Sequence, residues 1–255
     1  GYAYDNKQLF RDYLFFSWLG GINTIKGLKR KSNDLKINFN KEGKLLRKEK
    51  ESNRLLKIVD EKEEFKYSRP FIKLTANQKL NAKELLFPLK KYKYIIGIGH
   101  QSKFKSKNWP IEKFSSLLKE IICSYKDTAF VLLGGKENKV SGDKLIYPLK
   151  KERILNLCGE TNLIESAAIL SLCKLFIGVD SGTMHLASAM NIKCIALFSV
   201  MTNPGVWEPF GEDNIIIRDN KSYYSRELGK NKNIMSSMHE ISEEIVFEEF
   251  KKIKG

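Results

Sequence analysis

From residue 92 onward, short apolar runs alternate with amphipathic stretches, a pattern satisfied by a parallel sheet covered with helices. Six runs read as strands: 94–99 (YIIGIG), 128–133 (TAFVLL), 153–157 (RILNL), 174–179 (KLFIGV), 193–198 (KCIALF) and 214–218 (NIIIR). Strands covered on both faces need no polar alternation, and these have little. Helical periodicity fills the gaps at about 111–125, 137–149, 163–173 and 183–190, with a last amphipathic helix at about 240–253. Start signals support the pattern: Pro110 in a first turn, Asn162 and Glu165 at capping-box spacing, and Ser181-Gly182 before the fourth helix. The expected fold is α/β, a doubly wound Rossmann-like parallel sheet, and such sheets bind ligands at the carboxyl ends of their strands.

Residues 1–91 are organised differently. Leu9, Phe10, Tyr13, Leu14, Phe16 and Trp18 recur at helical spacing up to Gly20-Gly21, and 33–53 reads as a polar loop or exposed hairpin. Leu55, Leu56, Ile58 and Val59 suggest a short helix, and Phe71-Ile72-Lys73-Leu74 a short strand. Thr75 and Gln78 form a capping box that opens a helix ending near Pro88. There is too little continuous apolar sequence here for a full α/β domain, so the expected division is a partial domain over 1–91 and a complete one over 92–255.

The chain has 255 residues, 42% hydrophobic and 29% charged, which excludes disorder as a whole-chain description. No apolar run approaches the roughly 18–20 residues that a membrane-spanning helix needs. The sequence starts at Gly1, and its opening stretch has no apolar core followed by a small-residue cleavage site. Cys123, Cys158, Cys173 and Cys194 lie far apart with no CxxC pair, which reads as buried, reduced thiols in a cytoplasmic protein. Basic charge is concentrated early: 22 Lys and Arg against 11 Asp and Glu in residues 1–91, and 23 against 19 in 92–255. The densest cluster, Lys26, Lys29, Arg30 and Lys31, lacks the interleaved aromatics that stack bases, so it reads as a solvated face rather than a nucleic-acid groove.

Three loops at the expected ligand edge carry chemistry. Asp180-Ser181-Gly182-Thr183-Met184-His185 joins an apolar strand to a helix, where unpaired N–H groups and the positive dipole end suit a diphosphate. Gly182 permits close backbone approach, Ser181 and Thr183 offer hydroxyls, and His185 falls in the first turn. The same residues are also explained by Ser181 as an N-cap and His185 as a packed core residue. Lys107-Asn108-Trp109-Pro110 follows the first strand, and Gly134-Gly135-Lys136-Glu137 the second. There Lys107 can neutralise phosphate charge, while Glu137 can accept from a ribose or simply belong to a tight turn.

Taken in order, GxxE, the stretch 156–198 (NLCGETNLIESAAILSLCKLFIGVDSGTMHLASAMNIKCIALF) and Trp207-x-Pro209 resemble glycosyltransferase family 9, the ADP-heptose:lipopolysaccharide heptosyltransferases and their relatives. Residues 94–218 carry the resemblance. It implies a GT-B architecture, with the nucleotide-sugar donor on the C-terminal domain and the acceptor on the N-terminal one, whose opening half is absent from this sequence. The implied reaction is inverting transfer of a sugar, heptose in this reading, to a lipopolysaccharide or lipooligosaccharide core or a related surface glycan. Lys107 and His185 match the family's stabilisers of the leaving group, and Glu137, Asp180, Ser181, Gly182, Thr183, Met184 and His185 its donor-binding positions. The family's general base has no counterpart here. No cofactor or metal is expected, consistent with the lack of a DxD arrangement around Asp180. The implied partners are a nucleoside-diphosphate sugar and a lipid-linked saccharide, met in the cytoplasm or at the anionic cytoplasmic face of an inner membrane. Two departures stand out: His100-Gln101 where relatives have Pro-Gly, and Ser199-Val200-Met201-Thr202 where many have Gly-Pro-Thr. A nucleotide-sugar epimerase or hydrolase, and a non-catalytic nucleotide-sugar-binding protein, fit the same residues.

Overall fold

The computed structural model of the chain describes residues 46–59, 70–149, 151–200, 202–218 and 238–255. The expected helix over Leu9–Trp18 and most of the expected loop over 33–53 lie outside them. The described residues fall into two units, 46–59 with 202–207, and 70–149 and 151–200 with 208–218 and 238–255. In the first, helix α1 (Glu51–Val59) opens with an Arg54–Glu51 clasp at 2.8 Å. The Lys48 N–H donates to the Pro204 carbonyl at 2.8 Å, and the Glu51 N–H to that of Val206 at 3.1 Å.

The second unit contains a six-stranded, all-parallel sheet of β1 (Tyr94–Gly99), β2 (Thr128–Leu132), β3 (Ile154–Asn156), β4 (Leu175–Val179), β5 (Cys194–Phe198) and β6 (Ile215–Arg218). The strand order is β3-β2-β1-β4-β5-β6, so the winding reverses between β1 and β4 and the crevice of a doubly wound sheet opens there. Among the described residues, six helices pack around it: α2 (Ala76–Leu85), α3 (Ile111–Ser124), α4 (Lys139–Ile146), α5 (Leu163–Leu170), α6 (Gly182–Ala189) and α7 (Glu243–Lys254). All six strands fall within one residue of the expected bounds.

Period-two alternation divides the strand residues between two cores. Ile96, Ile98, Phe130, Leu132 and Ile177 pack with Phe114, Leu145 and Phe250 from α3, α4 and α7. Val131, Phe176, Ala196 and Phe198 face the other way and pack with Ala82, Ile169 and Met184 from α2, α5 and α6. Close approach at the switch point depends on Gly178, where a Cβ would stand 2.5 Å from the Gly99 carbonyl oxygen. Buried Cys158 and Cys173 contribute small apolar bodies, and desolvation pushes both thiols up to about 12.

Two expectations change, the first at Cys123, which is exposed on the last turn of α3 rather than buried like the other three cysteines. Residues 71–74 alternate as a strand would, with Phe71 and Lys73 exposed, but they join no ladder and run as an extended lead into α2. A period-two pattern also fits a chain lying along a helix-covered surface with one side wet, and only a ladder partner separates the two cases. Helix α2 itself has the predicted capping box, with Gln78 N–H donating to Thr75 Oγ1 at 3.3 Å and Thr75 N–H to Gln78 Oε1 at 2.8 Å. It packs against α5 in the sheet-bearing unit, although it precedes residue 92.

Trp109 fixes the loop between β1 and α3. Its ring is 1% exposed, meets Phe114 edge-on at 4.8 Å, and donates its N–H to the Ile241 carbonyl at 3.0 Å. Lys113 Nζ reaches the same carbonyl at 2.9 Å and Glu243 at 3.2 Å, so the start of α7 and the β1 loop are held as one piece. Trp109→Phe should cost about 2–3 kcal/mol, from one lost hydrogen bond plus a partly filled void. Urea unfolding measures this, and wild-type stability in the variant would show that the loop is anchored elsewhere.

Candidate active site

Strand β4 delivers Asp180, 5% exposed, to the switch point, and Ser181 then turns the chain into α6. Ser181 occupies the N-cap in an extended conformation (φ −150°, ψ 168°), yet its hydroxyl makes no capping bond. Its Oγ is buried with no hydrogen-bond partner. The first-turn N–H groups are therefore not covered by the side chain that ordinarily covers them. Nothing stands within 4 Å of where a Gly182 Cβ would be, so there is open space at this helix end. Thr183 and His185 are partly exposed, whereas Met184 is fully buried in the core below. Of Met184, only the backbone is left for a ligand.

Lys107 arrives from the opposite side of the crevice. It ends a 3-10 turn, Lys105–Lys107, in the loop after β1, and its Nζ lies 2.6 Å from Asp180 Oδ2. His185 Nε2 is 3.9 Å from Asp180 Oδ1. Thus Lys107, 73 positions away in sequence, and His185, five residues on in the first turn of α6, converge on the Asp180 carboxylate beside an open helix N-terminus. The loop that carries Lys107 is fixed twice, by Trp109 and by the Ser102 N–H donating to Asn108 Oδ1 at 2.7 Å. A lysine ammonium has three donors; one meets Asp180, and the geometry leaves the charge at the crevice.

Glu137 is not part of that group. It sits exposed in the 3-10 turn Lys136–Asn138 after β2, at the same edge of the sheet. This turn is buttressed from β3: the Gly159 N–H donates to the Gly134 carbonyl at 2.9 Å, with Gly159 at φ +76°. A Cβ on Gly159 would come 2.8 Å from Lys136 Cα, so glycine is required both by the dihedral and by the approach.

Other polar groups at this edge were not assigned a site role from the sequence. Glu208, between Trp207 and Pro209, pairs with Arg218 at the end of β6 at 3.0 Å, and the Arg218 guanidinium lies 4.6 Å from the centre of the Phe198 ring. At 5% and 10% side-chain exposure, this is a buried ion pair at the carboxyl ends of β5 and β6. The only hint in the sequence was an acidic residue inside a W-x-P motif. His100, fully buried directly after β1, meets Ser141 Oγ through Nε2 at 2.9 Å. Among the described residues, no three His, Cys, Asp or Glu are grouped to hold a metal ion.

Sheet order, switch-point crevice and a helix end that its N-cap side chain leaves uncovered define a doubly wound α/β fold, the one found in GT-B glycosyltransferases. Residues 15–236 match the family model of glycosyltransferase family 9 (heptosyltransferase), and the chain belongs to that family. It is 28% identical over 149 residues to lipopolysaccharide heptosyltransferase 2 of Escherichia coli, covering 56% of this chain and 41% of that protein. Against lipooligosaccharide heptosyltransferase 2 of Haemophilus influenzae it is 31% identical over 128 residues, covering 49% of this chain and 36% of the relative. Among solved structures, the family 9 glycosyl transferase from Veillonella parvula superposes with a TM-score of 0.67 at 19% identity, over 81% of this chain and 60% of that one. The matches to the two curated relatives span less than half of their lengths.

His100 also gives the site a pH signature. Burial holds its imidazole neutral, lowering the pKa from 6.5 to about 4, with a backbone contact at Asn138 opposing the shift in part. Between those values the unfolded chain binds the extra proton, so stability falls as pH drops from 6.5 towards 4. Wild type should lose about 2 kcal/mol between pH 7.5 and pH 5 from this group, and His100→Asn should remove that part of the slope. Urea midpoints at the two pH values test it; equal slopes in the two proteins would reject it.

Proposed function

We propose that this chain forms the donor side of an inverting glycosyltransferase that moves a sugar, heptose in this reading, from a nucleoside-diphosphate sugar to a lipopolysaccharide or lipooligosaccharide core. The observation that carries the reading is the open N-terminus of α6, flanked by Lys107 and His185 where they meet Asp180. The helix N–H groups and the Ser181 and Thr183 hydroxyls receive the diphosphate, and Glu137 receives the ribose. In this scheme residues 92–255 are the donor domain, α2 packs onto it through α5, and the part of 1–91 that precedes α2 belongs to the acceptor side.

Chemistry follows from charge. In a single in-line displacement at the anomeric carbon, the acceptor oxygen forms a bond as the bond to the diphosphate breaks, and the acceptor proton goes to a general base that is not assigned to any residue here. Negative charge grows on the departing phosphate. Lys107 stabilises it as a cation, His185 as a hydrogen-bond donor and α6 through its aligned N–H groups, and a water-poor crevice strengthens all three. These groups supply the compensation that a divalent cation supplies elsewhere, so no metal enters this scheme.

Titration calorimetry with ADP, GDP, UDP and CDP tests the donor site. One nucleotide should bind selectively, and Lys107→Met and His185→Ala should each weaken it about 10- to 100-fold, the range for a hydrogen bond to a charged group. Failure of all four to bind wild type, or unchanged affinity in both variants, would overturn the assignment.

A peripheral, cytoplasmic position at an anionic membrane face belongs to the same reading. Supporting it, the outward side of α2 and the turn after it exposes Leu80 and Phe87 alongside Lys79, Lys83, Lys90 and Lys91, and Lys90 Nζ stands 3.7 Å from the Phe87 ring centre. Exposed apolar groups among lysines suit a headgroup layer. Co-sedimentation with phosphatidylcholine vesicles carrying phosphatidylglycerol should show binding that falls steeply with salt and falls again in Lys79→Glu/Lys83→Glu. Salt-independent binding would remove the electrostatic account.

A further inference from the structure

Gln101 is held in a way that fixes which end of its amide is offered to solvent. The anchor is unambiguous: the Gly135 backbone N–H donates to Asn138 Oδ1 at 3.0 Å, which sets the orientation of the Asn138 amide. Asn138 Nδ2 then donates to Gln101 Oε1 at 3.0 Å, and the Ser141 hydroxyl also reaches that oxygen at 2.8 Å. Ser141 has one proton, claimed by Gln101 Oε1 or by the Asn138 carbonyl at 2.9 Å, so its lone pair faces His100 Nε2–H at 2.9 Å. Flipping the Gln101 amide would set its NH2 against the NH2 of Asn138. The Gln101 carbonyl is thus satisfied by the segment after β2, while its NH2 has no partner among the described residues.

A glutamine side chain held in one conformation gives up rotamer freedom, and a surface glutamine gains little from such a hold. The position makes the hold informative. Gln101 follows β1, one strand from Glu137 on β2's side and six residues before Lys107 in the same loop. We propose that Gln101 contacts the donor nucleotide, its NH2 donating to an oxygen at the nucleoside end, ribose or the adjoining phosphate, and that Asn138, Ser141 and His100 are positioning residues acting through it. The proposal rests on the donor-site reading above and adds to it a contact that sets nucleoside recognition apart from diphosphate recognition. Buried and neutral, His100 keeps this arrangement unchanged across the physiological pH range.

Gln101→Glu separates a binding role from a structural one, because it keeps the oxygen that Asn138 and Ser141 donate to and replaces only the NH2. With whichever of ADP, GDP, UDP or CDP wild type binds, this variant should bind at least about 10-fold more weakly at wild-type melting temperature, as should Gln101→Ala. Affinity for the matching monophosphate should fall in parallel in Gln101→Ala, and affinity for inorganic pyrophosphate should stay unchanged in that variant. Ser141→Ala should reproduce part of the loss, Ser141→Thr should restore it, and Gln101→Ala/Ser141→Ala should bind no more weakly than Gln101→Ala alone. Wild-type nucleotide affinity in both Gln101 variants, an equal loss for pyrophosphate in Gln101→Ala, or additive losses in the double variant would overturn the proposal and leave the donor site standing. If wild type binds none of the four diphosphates, the donor-site reading fails, and this proposal with it.

Discussion

The ion pair between Lys107 and Asp180 crosses the point where the sheet reverses its winding, and the geometry of the site depends on it. Asp180 is 5% exposed and Lys107 15%, so neither charge is well hydrated, and losing one partner of such a pair typically costs about 3–5 kcal/mol. The pair is sustainable because each partner has other support. Asp180 stands at the positive end of α6, and Lys107 rides on a loop pinned by Trp109 and Asn108. The result is a positive group held at a defined place in the crevice while its own charge stays balanced when no ligand is present. Under the proposed function, an incoming diphosphate would meet a lysine already in position, and binding would require little reorganisation.

How much of this was legible in the sequence follows from the range of the interactions. Strands covered on both faces must be apolar throughout, so FVL in β2 or LFIGV in β4 announces itself without any partner in view. Capping boxes at Thr75 and Asn162 are equally local, because each closes within four residues. Residues 71–74 misled because period two belongs to any extended segment with one wet side. Met184 belongs to the expected phosphate-turn motif, but a residue three places after an N-cap can face the core as easily as a ligand, and here it faces the core.

The polar pairs that shape the rest of the edge could not be read in this way. Glu208 and Arg218 are ten residues apart in sequence and meet only because β5 and β6 end side by side. His100 and Ser141 are separated by 41 positions, and their contact depends on the register of β1 against β2. Such contacts are products of topology, so a single sequence offers at most the residue types. The Gly159 requirement lies between these cases: the glycine stood in the stretch 156–198 that carries the family resemblance, but its reason, the backbone of Lys136 standing where a side chain would go, was not visible.

Among the described residues, the buried side-chain polar atoms that lack a partner are His100 Nδ1, Ser181 Oγ and Asn203 Oδ1. His100 follows directly on β1 and Ser181 comes two residues after the end of β4, the strands that flank the switch point. A buried unsatisfied group costs about 1–3 kcal/mol, and a chain selected for stability alone would remove it: an alanine at 181 or an apolar residue at 100 would do so. Their position at adjacent strand ends, beside a helix N-terminus that the Ser181 side chain does not cap, places the cost where a ligand can return it. Under the proposed function, a nucleotide that satisfies Ser181 Oγ would recover a desolvation cost already incurred on folding, and so gain more than a newly formed surface hydrogen bond would give. The fold therefore holds its least stable polar arrangement at the one edge where the strand order demands a crevice, and occupancy of that crevice should be a larger part of this protein's stability than the sheet alone suggests.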